Sequence, residues 1–282
     1  MNVLTDADSP SFYEINENSD KPYLLVCEHA GNKVPKALGD LGLSQQELNQ
    51  HYAVDIGAED MALSLSNSLG APAVVANYSR LVIDLNRRAT HEAAFPAMGE
   101  GKPIPGNVDM ADEERQARID EIYMPFHKHV KSWIDAKIAQ NIVPAIITIH
   151  SYTPVFFGQK RPWEVAALWR QDERMPRPFI NYFKDKGYVV GDNQPYDARI
   201  LGGGTMELHG DGRKIPNLLV EYRNDLLLDK DSFKRLLEDT IAAVQMITDD
   251  PDLYRFYDGP ETPFDPEAEQ RYIEQIVKTT TS

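Results

Sequence analysis

Cysteine is almost missing from this chain: Cys27 is the only one in 282 residues. An internal disulfide is therefore impossible, and zinc sites built from several thiolates are excluded. Basic residues are also scarce, with 29 Lys and Arg against 44 Asp and Glu and a net charge of −15. That balance argues against nucleic acid and anionic membranes as partners. An anionic ligand would need a locally basic pocket, which makes arginines inside apolar or acidic stretches informative. No window approaches the roughly 18 apolar residues that span a bilayer. The opening MNVLTDADSP has neither the basic nor the apolar segment of a secretory leader, so a cytoplasmic location is expected. A G-x-S-x-G elbow, a Walker A loop and a G-x-G-x-x-G fingerprint are all missing. The run Gly202-Gly203-Gly204 lacks the Lys-Ser/Thr of a phosphate loop and reads as a flexible turn.

What is present is an ordinary globular composition, 42% hydrophobic and 26% charged, on a chain long enough for a sizeable core. YLLVC at 23–27 and AIITI at 145–149 read as buried strands, each preceded by Pro. Shorter strands are expected at 73–76, 81–85, 165–169, 188–190 and 218–222. Helical spacing marks 57–69, 111–139, 178–186 and 232–248, and Ser44 with Glu47 forms a capping-box pattern. Residues 89–110, rich in Gly and Pro, predict a long irregular loop that could act as a lid. Strands alternating with helices give one α/β domain of three layers, a mixed and mostly parallel sheet between helices. Its core would span about 20–250. An acidic extension at 251–282 would carry a short helix near 266–277 and a disordered Thr-Thr-Thr-Ser end.

In open α/β sheets ligands bind beyond the carboxyl ends of the strands. Four segments place chemistry at such an end: VCEH at 26–29, LVIDLNR at 81–87, TIHS at 148–151 and LLVEYRND at 218–225. His29 and His150 with one carboxylate would make the three-ligand set of a catalytic zinc with an open position. Zinc lowers the pKa of water to near neutrality, and a further carboxylate can carry the proton to a leaving nitrogen. Nearby arginines can hold a substrate carboxylate or polarise an oxyanion. Against this, the histidines could be core or capping groups, Asp55 an N-cap before the helix that follows Gly57, and Glu221 half of a salt bridge. Cys27, inside an apolar strand, is read as an inert core residue.

The sequence resembles the N-formylglutamate amidohydrolase family over roughly residues 20–250. The motifs that carry the resemblance are EHAGNKVP (28–35), HYAVDIGAED (51–60), SRLVIDLNR (79–87), YMPFH (123–127), IHSYTP (149–154) and VEYRNDLL (220–227). That family is similar in turn to the zinc carboxypeptidases and aspartoacylase-type deacylases, which implies a phosphorylase/hydrolase-like fold and one zinc ion. By this resemblance His29 and His150 are the zinc histidines, Glu221 is the general base and Arg80 polarises the scissile carbonyl. Asn86 and Arg87 would bind the substrate carboxylate, with Arg223, His209 and Ser151 as further substrate-side candidates. The deacylases carry H-x-x-E at the first site, whereas this chain reads His29-Ala30-Gly31-Asn32. The third ligand is therefore open, with Asp55 preferred and Glu28 the alternative.

These expectations converge on an amidohydrolase acting on an N-formyl or N-acyl derivative of an acidic amino acid, a small anionic substrate. Two rivals stand beside it. One is a carboxypeptidase-like hydrolase of small peptides. The other is a non-catalytic ligand-binding protein on the same scaffold, for which the missing H-x-x-E is the best support. No feature specifies an oligomeric state.

Overall fold

The computed structural model describes residues 2–269, 271 and 272. Its central sheet has seven strands: β1 (Phe12–Ile15), β2 (Tyr23–Cys27), β3 (Ala73–Ala76), β4 (Ala145–Tyr152), β5 (Val165–Leu168), β6 (Val190–Asp192) and β7 (Asn217–Arg223). Their spatial order is β1-β3-β2-β4-β7-β5-β6. The four central strands β3, β2, β4 and β7 are mutually parallel. At one edge β1 runs antiparallel to β3, and at the other β5 runs antiparallel to β7 and parallel to β6. Strands buried on both faces need no alternation of polar residues, which is why YLLVC and AIITI read as continuous apolar runs.

Helices cover both faces. The helices are α1 (Gln45–Leu48), α2 (Ala58–Leu69), α3 (Asp112–Arg118), α4 (Met124–Ala139), α5 (Pro176–Asp185), α6 (Asn224–Leu228) and α7 (Lys230–Thr248). On one face α2, α5 and α7 bury Met61, Leu65, Phe179, Phe183, Leu236 and Val244 against Leu25, Ile147, Ile149 and Val220. On the other, α3 and α4 bury Ala117, Phe126, Val130 and Ile134 against Leu24, Val26, Val74 and Ile146. A π-helical turn at Ile119–Tyr123 joins α3 to α4, so the single helix expected over 111–139 carries a one-turn bulge. The capping box at Ser44 and Glu47 is formed as its spacing predicts. Gly57, at φ 81°, turns the chain into α2 where a side chain would collide with Leu227.

One expected strand is corrected. Residues 81–85 are buried but form turns, and none of the sheet's strands includes them. Their carbonyls are met by side chains: Asn107 donates to Leu81, Arg118 to Val82 and His127 to Leu85. Buried donors thus replace a ladder neighbour, and an apolar run alone cannot distinguish the two. The 89–110 segment is less irregular than expected, with two short 3-10 turns and a small hairpin pairing Met98–Gly99 with Lys102–Pro103. The edge strand β1 lies where no strand was expected. The short helix expected near 266–277 is helical at 266–269, 271 and 272; its remainder and the terminal Thr-Thr-Thr-Ser lie outside the described residues. No helix among the described residues is long and apolar enough to cross a membrane.

Candidate functional site

The parallel strands β2, β4 and β7 end side by side, so residues at their carboxyl ends share one rim. Side-chain alternation then sorts them. On β7, Leu218, Val220 and Tyr222 bury toward α2, α5 and α7, which turns Glu221 to the opposite face. Glu221 pairs in register with His150, so both groups stand at the same height on adjacent strands. His29 lies two residues beyond the end of β2. Asp55 is brought in from the turn before α2, where its backbone N–H donates to the His29 carbonyl at 3.0 Å.

Asp55 Oδ2 lies 3.3 Å from His29 Nδ1 and 3.0 Å from His150 Nδ1. Each imidazole offers its other nitrogen to a second carboxylate. His29 Nε2 is 2.7 Å from Asp84 Oδ1, and His150 Nε2 is 3.2 Å from Glu28 Oε2. Arg80 braces the base of the cluster, donating from Nη2 to Asp84 at 2.8 Å and from Nη1 to Asp55 at 3.2 Å. The two imidazoles and three carboxylates of this cluster are all 3% exposed or less, so their charges are poorly screened.

Burial disfavours the Asp55 and Asp84 anions, yet both are held well below the usual carboxylate range. His29 and then His150 dominate the opposing pull on Asp55, with Arg80 adding less, and Arg80 then His29 that on Asp84. Burial likewise works against the charged form of His150, but Glu28 and Asp55 raise it well above an ordinary histidine. Glu221 behaves in the opposite way. Burial pushes its carboxyl up to about 7, with His150 opposing and the charge of Asp55 adding to the rise. Its Oε2 is buried and has no partner among the described residues.

A cavity of about 150 Å³ lies over the cluster, lined by His29, Asp55, Arg80, His150, Ser151 and Glu221 together with Asn86 and Arg87. Asn86 and Arg87 are held by the Asp84 turn: the Asn86 N–H donates to Asp84 Oδ1 at 2.8 Å, and Tyr123 Oη donates to the Arg87 carbonyl at 3.0 Å. Gly204, at φ 74°, packs so closely on Asn86 that a Cβ would lie 1.7 Å from its Oδ1. The triple glycine read as a flexible turn is a close backbone approach, with Gly202 and Gly203 forming part of the cavity wall.

Three candidates lie elsewhere. Arg223 pairs with Asp225 at 2.8 Å and does not line the cavity. His209, in a π-helical turn at Met206–Gly210, stacks on His127 with Nε2 3.0 Å from its Nδ1. Glu28 faces the far side of His150, away from the point where both Nδ1 atoms and Asp55 meet. Conversely, Asp84, His51 and Tyr196 are at the site without having been singled out. The signal for the first two was their position inside the motifs 79–87 and 51–60; Tyr196 had none.

Comparison with known proteins identifies the family and the fold. A profile described as N-formylglutamate amidohydrolase matches residues 21–228. The chain belongs to the N-formylglutamate amidohydrolase family. A curated relative, an N-formylglutamate deformylase of Pseudomonas putida, is 28% identical over 159 residues, which is 50% of this chain and 57% of that protein. The matched stretch thus spans little more than half the length of that relative. A solved structure of the Agrobacterium tumefaciens gene product Atu2144 is 32% identical, with a TM-score of 0.81 over 88% of this chain and 98% of the other. The N-formylglutamate amidohydrolase of Ralstonia eutropha JMP134, 18% identical, shares the fold with a TM-score of 0.62 over 86% of this chain and 98% of the other.

Proposed function

We propose that this family member is a zinc-dependent amidohydrolase that removes a formyl or related acyl group from an acidic amino acid. The observation that carries the proposal is the convergence of His29, Asp55 and His150, whose donor atoms all lie within 4.8 Å of one another. The residues fit a dication on two counts. Four buried carboxylates, Glu28, Asp55, Asp84 and Glu221, gather around the two histidines, and Arg80 is the one arginine or lysine paired with any of them among the described residues. Both imidazoles also turn Nδ1 toward Asp55 and Nε2 toward a second carboxylate: Asp84 hydrogen-bonds His29 Nε2, the pattern that fixes the tautomer of a metal-ligating histidine, and Glu28 Oε2 stands 3.2 Å from His150 Nε2 as its ion-pair partner. This geometry favours Asp55 as the third ligand and Glu28 as a group that orients His150. The missing H-x-x-E is then no obstacle; Asn32, in the place of its glutamate, donates to Asn49 at 2.7 Å.

Zinc at this position would supply Lewis acidity and a nucleophile available at neutral pH. Glu221 takes a proton from water as the water oxygen bonds to the acyl carbon. It returns that proton to the leaving nitrogen as the C–N bond breaks, giving the free acid and the amine. A carboxyl with a pKa near neutrality suits both halves of the transfer. Asn86 and Arg87 hold the substrate carboxylate, and Arg80, which lines the cavity, polarises the carbonyl oxygen. The cytoplasmic location stays part of this proposal.

The test is hydrolysis of N-formylglutamate by zinc-loaded protein, followed as release of formate and glutamate, beside Glu221→Gln. The account expects turnover by the wild type and a loss of roughly 100-fold or more in kcat for the variant. Turnover that survives the substitution would remove Glu221 from the mechanism. No turnover of any N-acyl amino acid would remove the hydrolase.

A further inference from the structure

Arg161 is a buried guanidinium, 8% exposed, and no Asp or Glu pairs with it among the described residues. It follows a small hairpin that pairs Val155–Phe156 with Gln159–Lys160. Its guanidinium carbon lies 4.3 Å from the ring centre of Phe156, 5.1 Å from Tyr196 and 5.8 Å from Tyr152. Nη2 donates to Tyr196 Oη at 3.2 Å, and Nη1 has no partner among the described residues. A buried cation without a counter-charge is costly, so the arrangement calls for an anion nearby. Tyr196 stands between this cation and the cavity, which it lines together with Arg87 and Glu221. Because the Tyr196 oxygen already accepts from Arg161, its own proton is left to donate, and a hydroxyl bonded to a cation is a stronger donor.

We infer that Tyr196 recognises the acidic side chain of the substrate, donating its hydroxyl proton to the second carboxylate, and that Arg161 is the positioning residue behind it. Asn86 and Arg87 hold one carboxylate and Tyr196 the other, so the site selects a dicarboxylic amino acid on a body that otherwise repels anions. This inference rests on the amidohydrolase reading for the identity of the substrate, although the two-carboxylate preference can be measured without turnover.

Two substrates of equal chain length separate the contributions: N-formylglutamate, and N-formylnorvaline, which lacks the side-chain carboxylate. On zinc-loaded protein, Tyr196→Phe should raise KM for N-formylglutamate by roughly 10- to 100-fold, the range for losing one hydrogen bond to a charged group, with kcat changed little. The kinetics on N-formylnorvaline should not move. Arg161→Met should shift KM in the same direction and Arg161→Lys should recover part of it. An equal loss on both substrates would place the hydroxyl in a step common to both and overturn the inference, as would no loss on either. Glutarate and valerate binding, by calorimetry, provides the second arm. Wild type should prefer glutarate by roughly tenfold or more, and Tyr196→Phe should abolish that preference. If the wild type hydrolyses neither substrate, the hydrolase reading falls, and this binding ratio still decides. A wild type without the preference, or a Tyr196→Phe protein that keeps it, overturns the role of Tyr196.

Discussion

The chain contains two buried histidine pairs, and they are electrostatic opposites. His29 and His150 meet edge to face with ring centres 4.9 Å apart, ringed by Asp55, Asp84 and Glu28. His127 and His209 stack with centres 5.2 Å apart and have no carboxylate within salt-bridge distance among the described residues. In the first pair the carboxylates overcome burial and raise His150 well above its ordinary value. In the second, burial prevails and holds His127 down to about 4 and His209 to about 3. Both pairs are short of solvent, so partner carboxylates decide whether a buried imidazole gathers positive charge or excludes it. The first pair supplies two of the three ligands in the proposed metal site. The second is a neutral hydrogen-bonded strut that ties α4 to the Met206–Gly210 turn and, through His127 Nε2, to the Leu85 carbonyl.

The most severe way to break the comparison is to remove the first pair. His150→Ala is expected to abolish metal retention and to lower kcat/KM by about 1,000-fold or more, whereas His209→Gln should leave both nearly intact, read as metal content beside steady-state kinetics. Glu221→Gln follows, with the loss of roughly 100-fold or more given above but with metal content unchanged, because Glu221 is not among the converging donors.

The second pair can be probed by pH. Its folded pKa values lie below the unfolded value of about 6.5, so between about 4 and 6.5 the unfolded chain binds more protons than the folded one. Stability from this pair is complete above about 6.5 and is lost as pH falls through that window. His127 alone would account for about 3 kcal/mol by pH 4, as an upper order of magnitude. Urea unfolding across pH 4 to 7 should show this slope, and His209→Gln should flatten it. A slope unchanged by the substitution would show that the pair does not titrate as described.

The smallest effect sharpens the contrast at its origin. Asp84→Asn and Glu28→Gln keep the side-chain size but remove the charge behind each imidazole, and zinc affinity should fall by roughly 10- to 100-fold. If metal affinity is untouched, the carboxylates brace the fold and do not tune the ligands.

Much of the sheet was legible because strands buried on both faces leave uninterrupted apolar runs, and the residues ending those runs mark the rim that they share. His29, His150 and Glu221 could be singled out for that reason. Asp55 was harder to place, since a turn residue before a helix looks the same whether it caps or ligates. Choosing between it and Glu28 required knowing which imidazole nitrogen each faces. The 81–85 segment misled because its backbone is satisfied by Asn107, Arg118 and His127, from positions 26 to 42 residues away that no local pattern connects. Tyr196 and Arg161 gave no local signal, because their pairing spans 35 residues and is created by the packing of two loops.

The central claim is that His29, Asp55 and His150 hold one divalent ion. It is tested most directly by zinc titration of chelator-treated, untagged protein, with bound metal counted by plasma mass spectrometry beside Asp55→Ala and His150→Ala. The account predicts about one zinc per chain in the wild type and none retained in either variant. A wild type that binds no zinc, or variants that bind it as the wild type does, would contradict it.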